Sequence, residues 1–249
     1  LAGPDDIMIS TERMTAIEVT DIDGATMTVQ AGVPLEVVQT RAAEQGFMFP
    51  VDFGARGSAA IGGAISTNAG GNSVIRYGML REQVLGLEAV LADGTVVSSM
   101  NRMLKNNAGY DLKQLFIGTE GTLGIITRAV LRLRPALESQ NTAFVALESF
   151  EKVPALLRHL GSALGGSLSA FEVLWEDFYR TIVVEIDNHQ PPVSEGYPFY
   201  VLIEARGGDQ RADAERFEAA LESAFEDELI SDAAIAQGGA QRQALWAIR

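Results

Sequence analysis

The chain has 249 residues, enough for one large or two ordinary domains, each with a core of its own. Its formal net charge of −14 argues against a nucleic-acid partner and against a basic patch for membrane surfaces, while 47% hydrophobic residues without a membrane-length apolar run describe a soluble globular protein. The lack of cysteine removes disulfides, thiolate metal sites and cysteine nucleophiles, and fits a cytoplasmic or organelle-matrix location.

Short strands are expected at Ile7 to Ser10 and at Thr26 to Ala31, with turn chemistry from Asp21-Ile-Asp-Gly24 between them. That tetrapeptide resembles the start of a calcium loop, but no EF-hand pattern of acids follows, so it reads as a turn. Pro34 starts a helix through Gln45, with Leu35, Val38, Ala42 and Ala43 on its inner face and Gly46 ending it. Pro50 to Gly71 then places glycine at 54, 57, 62, 63, 70 and 71. Glycine is costly in regular elements, so this backbone must turn through positive φ or lie against something flat and bulky. Ser58 is expected to cap a short helix beginning near Ala59, whose first-turn N–H groups suit an anion such as a pyrophosphate. Arg56 is the only cation in the stretch, so main-chain amides would do most of the holding. Composition alone leaves a set of plain turns equally open.

Val84 to Val97 reads as two strands around Ala92-Asp93-Gly94, and Asp111 to Phe116 as a short helix. Thr122 to Arg134 alternates, with Thr127, Ala129, Leu131 and Leu133 on one face and Arg128, Arg132 and Arg134 on the other. Pro135 closes that strand and marks a boundary between domains at 1–135 and 136–249. Beyond it, a strand at Thr142 to Leu147, a helix at Glu151 to Leu164, a strand at Pro198 to Ala205 and a helix at Arg211 to Phe225 predict an α+β layer ordered strand, helix, strand, strand, helix, strand. The two helices carry the stripes Val153, Leu156, Leu157, Leu160, Leu164 and Phe217, Ala220, Leu221, Ala224. Asn188 to Gly196 reads as a surface loop.

His159 and His189 have no spaced ligand partner or nucleophile elbow, so neither receives a role. The acidic runs Asp5-Asp6 and Glu226-Asp227-Glu228 read as solvated surface. Neither Pro50 to Gly71 nor Gly118 to Gly124 has the dinucleotide G-x-G-x-x-G spacing.

In order along the chain, Pro50 to Gly71, Arg76-Tyr77-Gly78, Asn106-Asn107-Ala108-Gly109-Tyr110-Asp111-Leu112 and Leu115 to Thr127 resemble the FAD-binding domain of the vanillyl-alcohol oxidase (p-cresol methylhydroxylase) flavoprotein family, in its D-2-hydroxyacid dehydrogenase branch. The resemblance implies an α+β chain: an FAD-binding domain of the vanillyl-alcohol oxidase type, incomplete at its N-terminus, followed by part of an α+β substrate (cap) domain. It implies FAD contacts from Pro50, Gly54, Gly57, Ser58, Gly62, Gly63, Thr67, Asn68, Gly70, Gly71, Glu120, Gly124, Ile125 and Ile126. Glu120 alternatively braces the glycine turns, and Ile125 and Ile126 are expected to give apolar cover and main-chain groups at a β edge.

Leu245-Trp246-Ala247-Ile248-Arg249 resembles the family segment whose arginine holds the substrate carboxylate, a task that suits a planar, permanently charged guanidinium. The alternative for Arg249 is an arginine answering a helix C-terminal dipole. The family's other pyrophosphate loop, its catalytic histidine and its divalent metal site (zinc or similar) have no match here, so the chain reads as a segment of a longer protein, with no catalytic residue and no metal ligand assigned within it. The implied activity is oxidation of a D-2-hydroxyacid, of the D-2-hydroxyglutarate or D-lactate class, to the 2-oxoacid. The sequence does not fix the electron acceptor, for which a flavoprotein and a quinone are the candidates, and a homo-oligomer is compatible with it. The alternatives are a flavin oxidase of the same fold acting on another alcohol and a non-catalytic FAD-binding subunit of a larger complex.

Overall fold

The structure, a computed structural model, describes residues 3, 5, 7–186 and 190–249, the side chains of 184 and 185 excepted. His189, Asp6 and Asn188 lie outside the described residues. The chain divides into two compact units, one made of Leu1–Gly71 with Tyr77–Ala136 and the other of Asn72–Arg76 with Leu137–Arg249.

The first unit begins with β1 (Ile17–Asp21) and β2 (Thr26–Gln30), an antiparallel hairpin. Its turn is the one expected from Asp21 to Gly24, and the Gly24 N–H donates to Asp21 Oδ1 at 2.9 Å. The strand expected at Ile7 to Ser10 is not there. No strand pairs with that short apolar run, and Ile7 is 90% exposed; the alternating segment around Ile17 and Val19 pairs with β2 instead.

Next come α1 (Leu35–Ala43), β3 (Phe47–Met48) and α2 (Ile61–Ser66), then α3 (Val74–Tyr77), whose Val74 to Arg76 belong to the second unit, and, in the first unit again, β4 (Val84–Val90), β5 (Val96–Ser99), β6 (Ile125–Arg132) and β7 (Arg134–Pro135). Five strands form one antiparallel sheet in the order β1-β2-β6-β4-β5. Alternate residues of three of them, Met27 and Val29, Leu87 and Ala89, Ala129 and Leu131, share a buried cluster with Leu35 and Val38 of α1 and Ile61 and Ile65 of α2. Ala43 is exposed, so it does not belong to the inner face of α1. The Asp93-Gly94 hairpin is present, with Gly94 at φ +84°. β6 starts at Ile125 rather than at Thr122, because Gly118 and Gly121 sit at φ +83° and +79° and keep the preceding segment turned.

The second unit contains β8 (Ser139–Leu147), α4 (Lys152–Ala163), β9 (Leu168–Trp175), α5 (Glu176–Arg180), β10 (Phe199–Gly207), α6 (Gln210–Glu226), β11 (Asp232–Ile235) and α7 (Gly239–Ala247). The sheet order is β11-β8-β10-β9, all antiparallel. The expected order of strand, helix, strand, strand, helix, strand is present, with α5 inserted after β9 and α7 added at the end. On one face, Val145, Leu147, Val201 and Ile203 pack with Leu156 and Leu160 of α4 and Phe217 and Leu221 of α6. On the other, Phe144, Tyr200 and Leu202 pack with Tyr179, Leu245 and Ile248. Tyr179 donates its hydroxyl to the Val193 carbonyl at 2.9 Å, which fastens the irregular segment after Gln190 to this face. The Asp209 carboxylate caps α6 by accepting from the N–H groups of Arg211 and Ala212. His159 is structural: its Nε2 lies 3.0 Å from the Ala220 carbonyl. Within the same unit, Arg76 donates to the carbonyls of Ser167 and Arg206, which ties Asn72–Arg76 to the sheet.

Candidate functional site

The glycine-rich stretch of the first unit is built in two parts. From Gly54 to Ser58 the chain makes exposed turns, with Arg56 N–H to the Phe53 carbonyl and Ser58 N–H to the Ala55 carbonyl. Among the described residues, the N–H groups of Gly54, Ala55 and Gly57 make no intramolecular hydrogen bond. A side chain added at Gly54 would meet nothing within 4 Å. Such exposed, unpaired amides beside open glycine surface can receive an anion. Arg56 does not contribute a bare cation. Its guanidinium lies 2.9 Å from Asp52 Oδ1 and 3.9 Å from Glu36 Oε1, and the hydrogen bond it donates to Asp52 holds it all the more firmly charged.

The second part corrects the expected cap. Ser58 is not the N-cap of the following helix; its hydroxyl donates to the Ala55 carbonyl. α2 starts at Ile61 after Ala60, because Ala60 is held extended in a β-bridge to Pro34. Two first-turn N–H groups are already used there, Ile61 donating to Val33 O and Gly62 to Ala31 O. The helix start therefore packs against the chain itself. Gly62 is required by that packing, since a Cβ there would lie 2.6 Å from Ala31 Cβ. Gly63, one residue on, faces open space.

The remaining expected residues fall into a braced loop pair. Thr67 donates its hydroxyl to the Gly63 carbonyl at 3.1 Å, and Asn68, at φ +47°, accepts the Arg81 N–H at 3.0 Å. Gly71 abuts the Asp52 main chain, where a Cβ would come within 2.4 Å of the carbonyl oxygen. Pro50 is buried and Gly70 is half-buried. The second glycine segment docks onto the end of α2 through Gly118 N–H to Ile65 O and Glu120 N–H to Ser66 O. Glu120 stands at φ +54° with its side chain exposed, so its main chain braces the turn. Arg81 reinforces the docking by donating to the carbonyls of Gln114 and Ile117. Nothing in the local sequence identifies Arg81 for this, because its partners lie more than thirty residues away.

At the start of β6 a groove of ≈ 520 Å³ opens, and Ile9, Thr11, Met14, Leu91, Gly124 and Ile125 are among its walls. β6 is an interior strand rather than an edge. Its pairing to β2 stops at Arg128, however, so Ile125 and Ile126 have a strand partner only on the β4 side. Ile125 is exposed to the groove. Ile126 is 3% exposed within the core, so its side chain offers no cover and only its main chain is available.

In the second unit, Arg249 follows α7 and donates from Nε to Glu172 Oε2 at 2.9 Å. Three residues earlier, Trp246 Nε1 donates to Glu204 Oε2 at 2.8 Å. Glu204 is 1% exposed and also accepts from Gln140 Nε2, Thr142 Oγ1 and Arg206 Nε. A carboxylate buried this deeply needs such a complete set of donors. Among the described residues, no cluster of three or more His, Cys, Asp or Glu is placed to hold a metal, and no helix is long and apolar enough to cross a membrane.

Residues 1–99 match the FAD binding domain family, and residues 136–249 match the C-terminal domain of FAD linked oxidases. The chain is 42% identical over 245 residues to the mitochondrial D-2-hydroxyglutarate dehydrogenase of Arabidopsis thaliana, covering 98% of this chain and 44% of that protein. It is 40% identical to the D-2-hydroxyglutarate dehydrogenase of Xanthomonas citri, covering 100% and 52%. It is 39% identical to a Schizosaccharomyces pombe protein provisionally named a mitochondrial D-lactate dehydrogenase, covering 97% and 46%. The chain thus spans about half the length of the curated relatives it matches. Among solved structures, an alkyldihydroxyacetonephosphate synthase superposes with a TM-score of 0.69 at 17% identity, over 94% of this chain and 44% of that one, a likeness of fold.

Proposed function

We propose, from the matches to the FAD binding domain and to the C-terminal domain of FAD linked oxidases that together span most of the chain, that the whole protein is an FAD-dependent dehydrogenase converting a D-2-hydroxyacid to the 2-oxoacid. The observation that carries the FAD part is the unpaired N–H groups of Gly54, Ala55 and Gly57 beside the open surface of Gly54, where an added side chain would meet nothing within 4 Å. These residues fit the pyrophosphate of a dinucleotide, which main-chain N–H groups can hold without a neighbouring cation. Gly63, the Gly118 to Gly124 loop and the main chain of Ile125 and Ile126 supply further contact, and the groove beside β6 is roomy enough for an aromatic portion of the cofactor.

When bound, FAD supplies a two-electron acceptor for the α-hydrogen of the substrate. The residues of this chain bind and orient. Arg249 grips the substrate carboxylate, and its permanent charge offsets the acidity of the chain around it. The segment 136–249 is the substrate domain in this reading. The substrate class comes from the relatives named for D-2-hydroxyglutarate and D-lactate. The acceptor is a flavoprotein or quinone, and the protein works in the cytoplasm or an organelle matrix, the latter as in the relatives named mitochondrial.

The test is anaerobic addition of D-2-hydroxyglutarate and of D-lactate to the purified full-length flavoprotein while its visible absorption is followed. Bleaching by one of them is the expected result and identifies the substrate class. A bound flavin that neither compound bleaches would overturn the substrate assignment and leave the cofactor assignment standing.

A further inference from the structure

Arg249 is held in a particular way. Its Nε donates to Glu172, while among the described residues Nη1 and Nη2 have no hydrogen-bond partner. Glu172 lies on β9 opposite Leu202 of β10, on the same sheet face as Glu204, two residues further along β10. The two carboxylates divide the work. Glu204 accepts from four donors and fixes the last turn of α7 through Trp246; among the described residues, Glu172 accepts a hydrogen bond from the arginine alone.

Resting on the reading of Arg249 as the substrate-binding arginine, we propose that Glu172 is its positioning residue, holding the guanidinium by Nε so that the Nη1/Nη2 edge grips a substrate carboxylate. A guanidinium offers five N–H donors in a fixed plane, and a carboxylate is matched by a parallel pair of them. Immobilising the plane through the one remaining nitrogen removes rotational freedom that substrate binding would otherwise have to freeze. Had Glu172 been a competing occupant, it would be expected to take a two-nitrogen edge. A single Nε contact is what orientation requires. The side chains are 37% and 26% exposed, so solvent screens the pair and its use is to orient the guanidinium rather than to stabilise the fold.

The test uses the full-length flavoprotein and whichever of D-2-hydroxyglutarate or D-lactate bleaches it, with binding of the corresponding 2-oxoacid measured by calorimetry. Glu172→Ala is expected to raise KM and the 2-oxoacid Kd about tenfold with kcat changed less than about twofold, the loss of one oriented charge-assisted contact. Glu172→Gln, which keeps an acceptor for Nε, should recover most of the loss. Combining Glu172→Ala with Arg249→Ala should add nothing to Arg249→Ala alone. Should the alanine variant fail to fold, Glu172→Thr suits a strand and carries the same expectation. If Arg249→Ala raises KM while Glu172→Ala leaves it unchanged or lowers it, the positioning role is overturned and the arginine reading survives. If Arg249→Ala itself leaves KM and Kd unchanged, the reading beneath it fails.

Discussion

The two units build their candidate sites from opposite materials. The first uses main chain: unpaired amides at Gly54, Ala55 and Gly57, an open glycine at 63, and two glycine segments stitched together by Gly118 and Glu120 N–H bonds. The second uses charged side chains on a sheet face, each neutralised by a partner, with Glu204 at the buried end and Arg249 with Glu172 at the open end. The difference teaches how each should fail. A main-chain site is damaged by adding atoms, because its function is to let a bulky partner approach. A side-chain site is damaged by removing them, because each member is held in place by a specific partner and Glu204 is buried among its donors.

The largest effect on stability belongs to the second unit. Glu204→Ala strands four donors around a buried hole and should cost about 3 kcal/mol, while Glu204→Gln should cost clearly less. Calorimetric unfolding of the full-length protein measures this, and a loss below about 1 kcal/mol would mean that water replaces the carboxylate. In the first unit, Gly71→Ala pushes a methyl into the Asp52 carbonyl and should cost about 2 kcal/mol, read in the same way. A silent Gly71→Ala would show that the loop yields and that the main-chain site is less rigid than drawn. Asp209→Ala, which only uncaps α6, should cost about 1 kcal/mol with no effect on flavin content, and it calibrates a purely structural change against the other two.

Legibility followed the same division. The helices of the second unit were readable because Val153, Leu156, Leu160 and Phe217, Leu221, Ala224 repeat at helical spacing and meet one core. β9 and β11 were expected only as places in the order. β11 is Asp-Ala-Ala-Ile at the sheet edge, without the β-branched alternation that marks a strand. Ile7 to Ser10 misled for the converse reason: an apolar run looks like a strand whether or not a neighbour exists to pair with it. In the glycine stretch, none of the six glycines takes the positive φ that was one expectation; Gly62 and Gly71 are needed because Ala31 and the Asp52 main chain pack against them, contacts that spacing does not show. Ser58 was misread because the helix start is delayed by the Pro34 to Ala60 bridge, a contact between distant residues. Glu204, Arg81 and Glu172 gave no signal, since, Arg206 beside Glu204 apart, the partners of their side chains lie from thirty to over seventy residues away.

The central claim is that the glycine surface of the first unit holds FAD, and Gly63 tests it most directly. Gly63→Leu places a side chain where the chain itself leaves open space, and leucine favours a helix more than glycine does. Flavin content is read from the visible spectrum of the purified full-length protein, and unfolding temperature is compared on the flavin-free forms. The account predicts a wild-type protein that carries flavin and a variant that has lost it with an unfolding temperature no lower than that of the wild type. A wild-type protein that stays colourless after incubation with FAD, or a variant that keeps its full flavin, would contradict it.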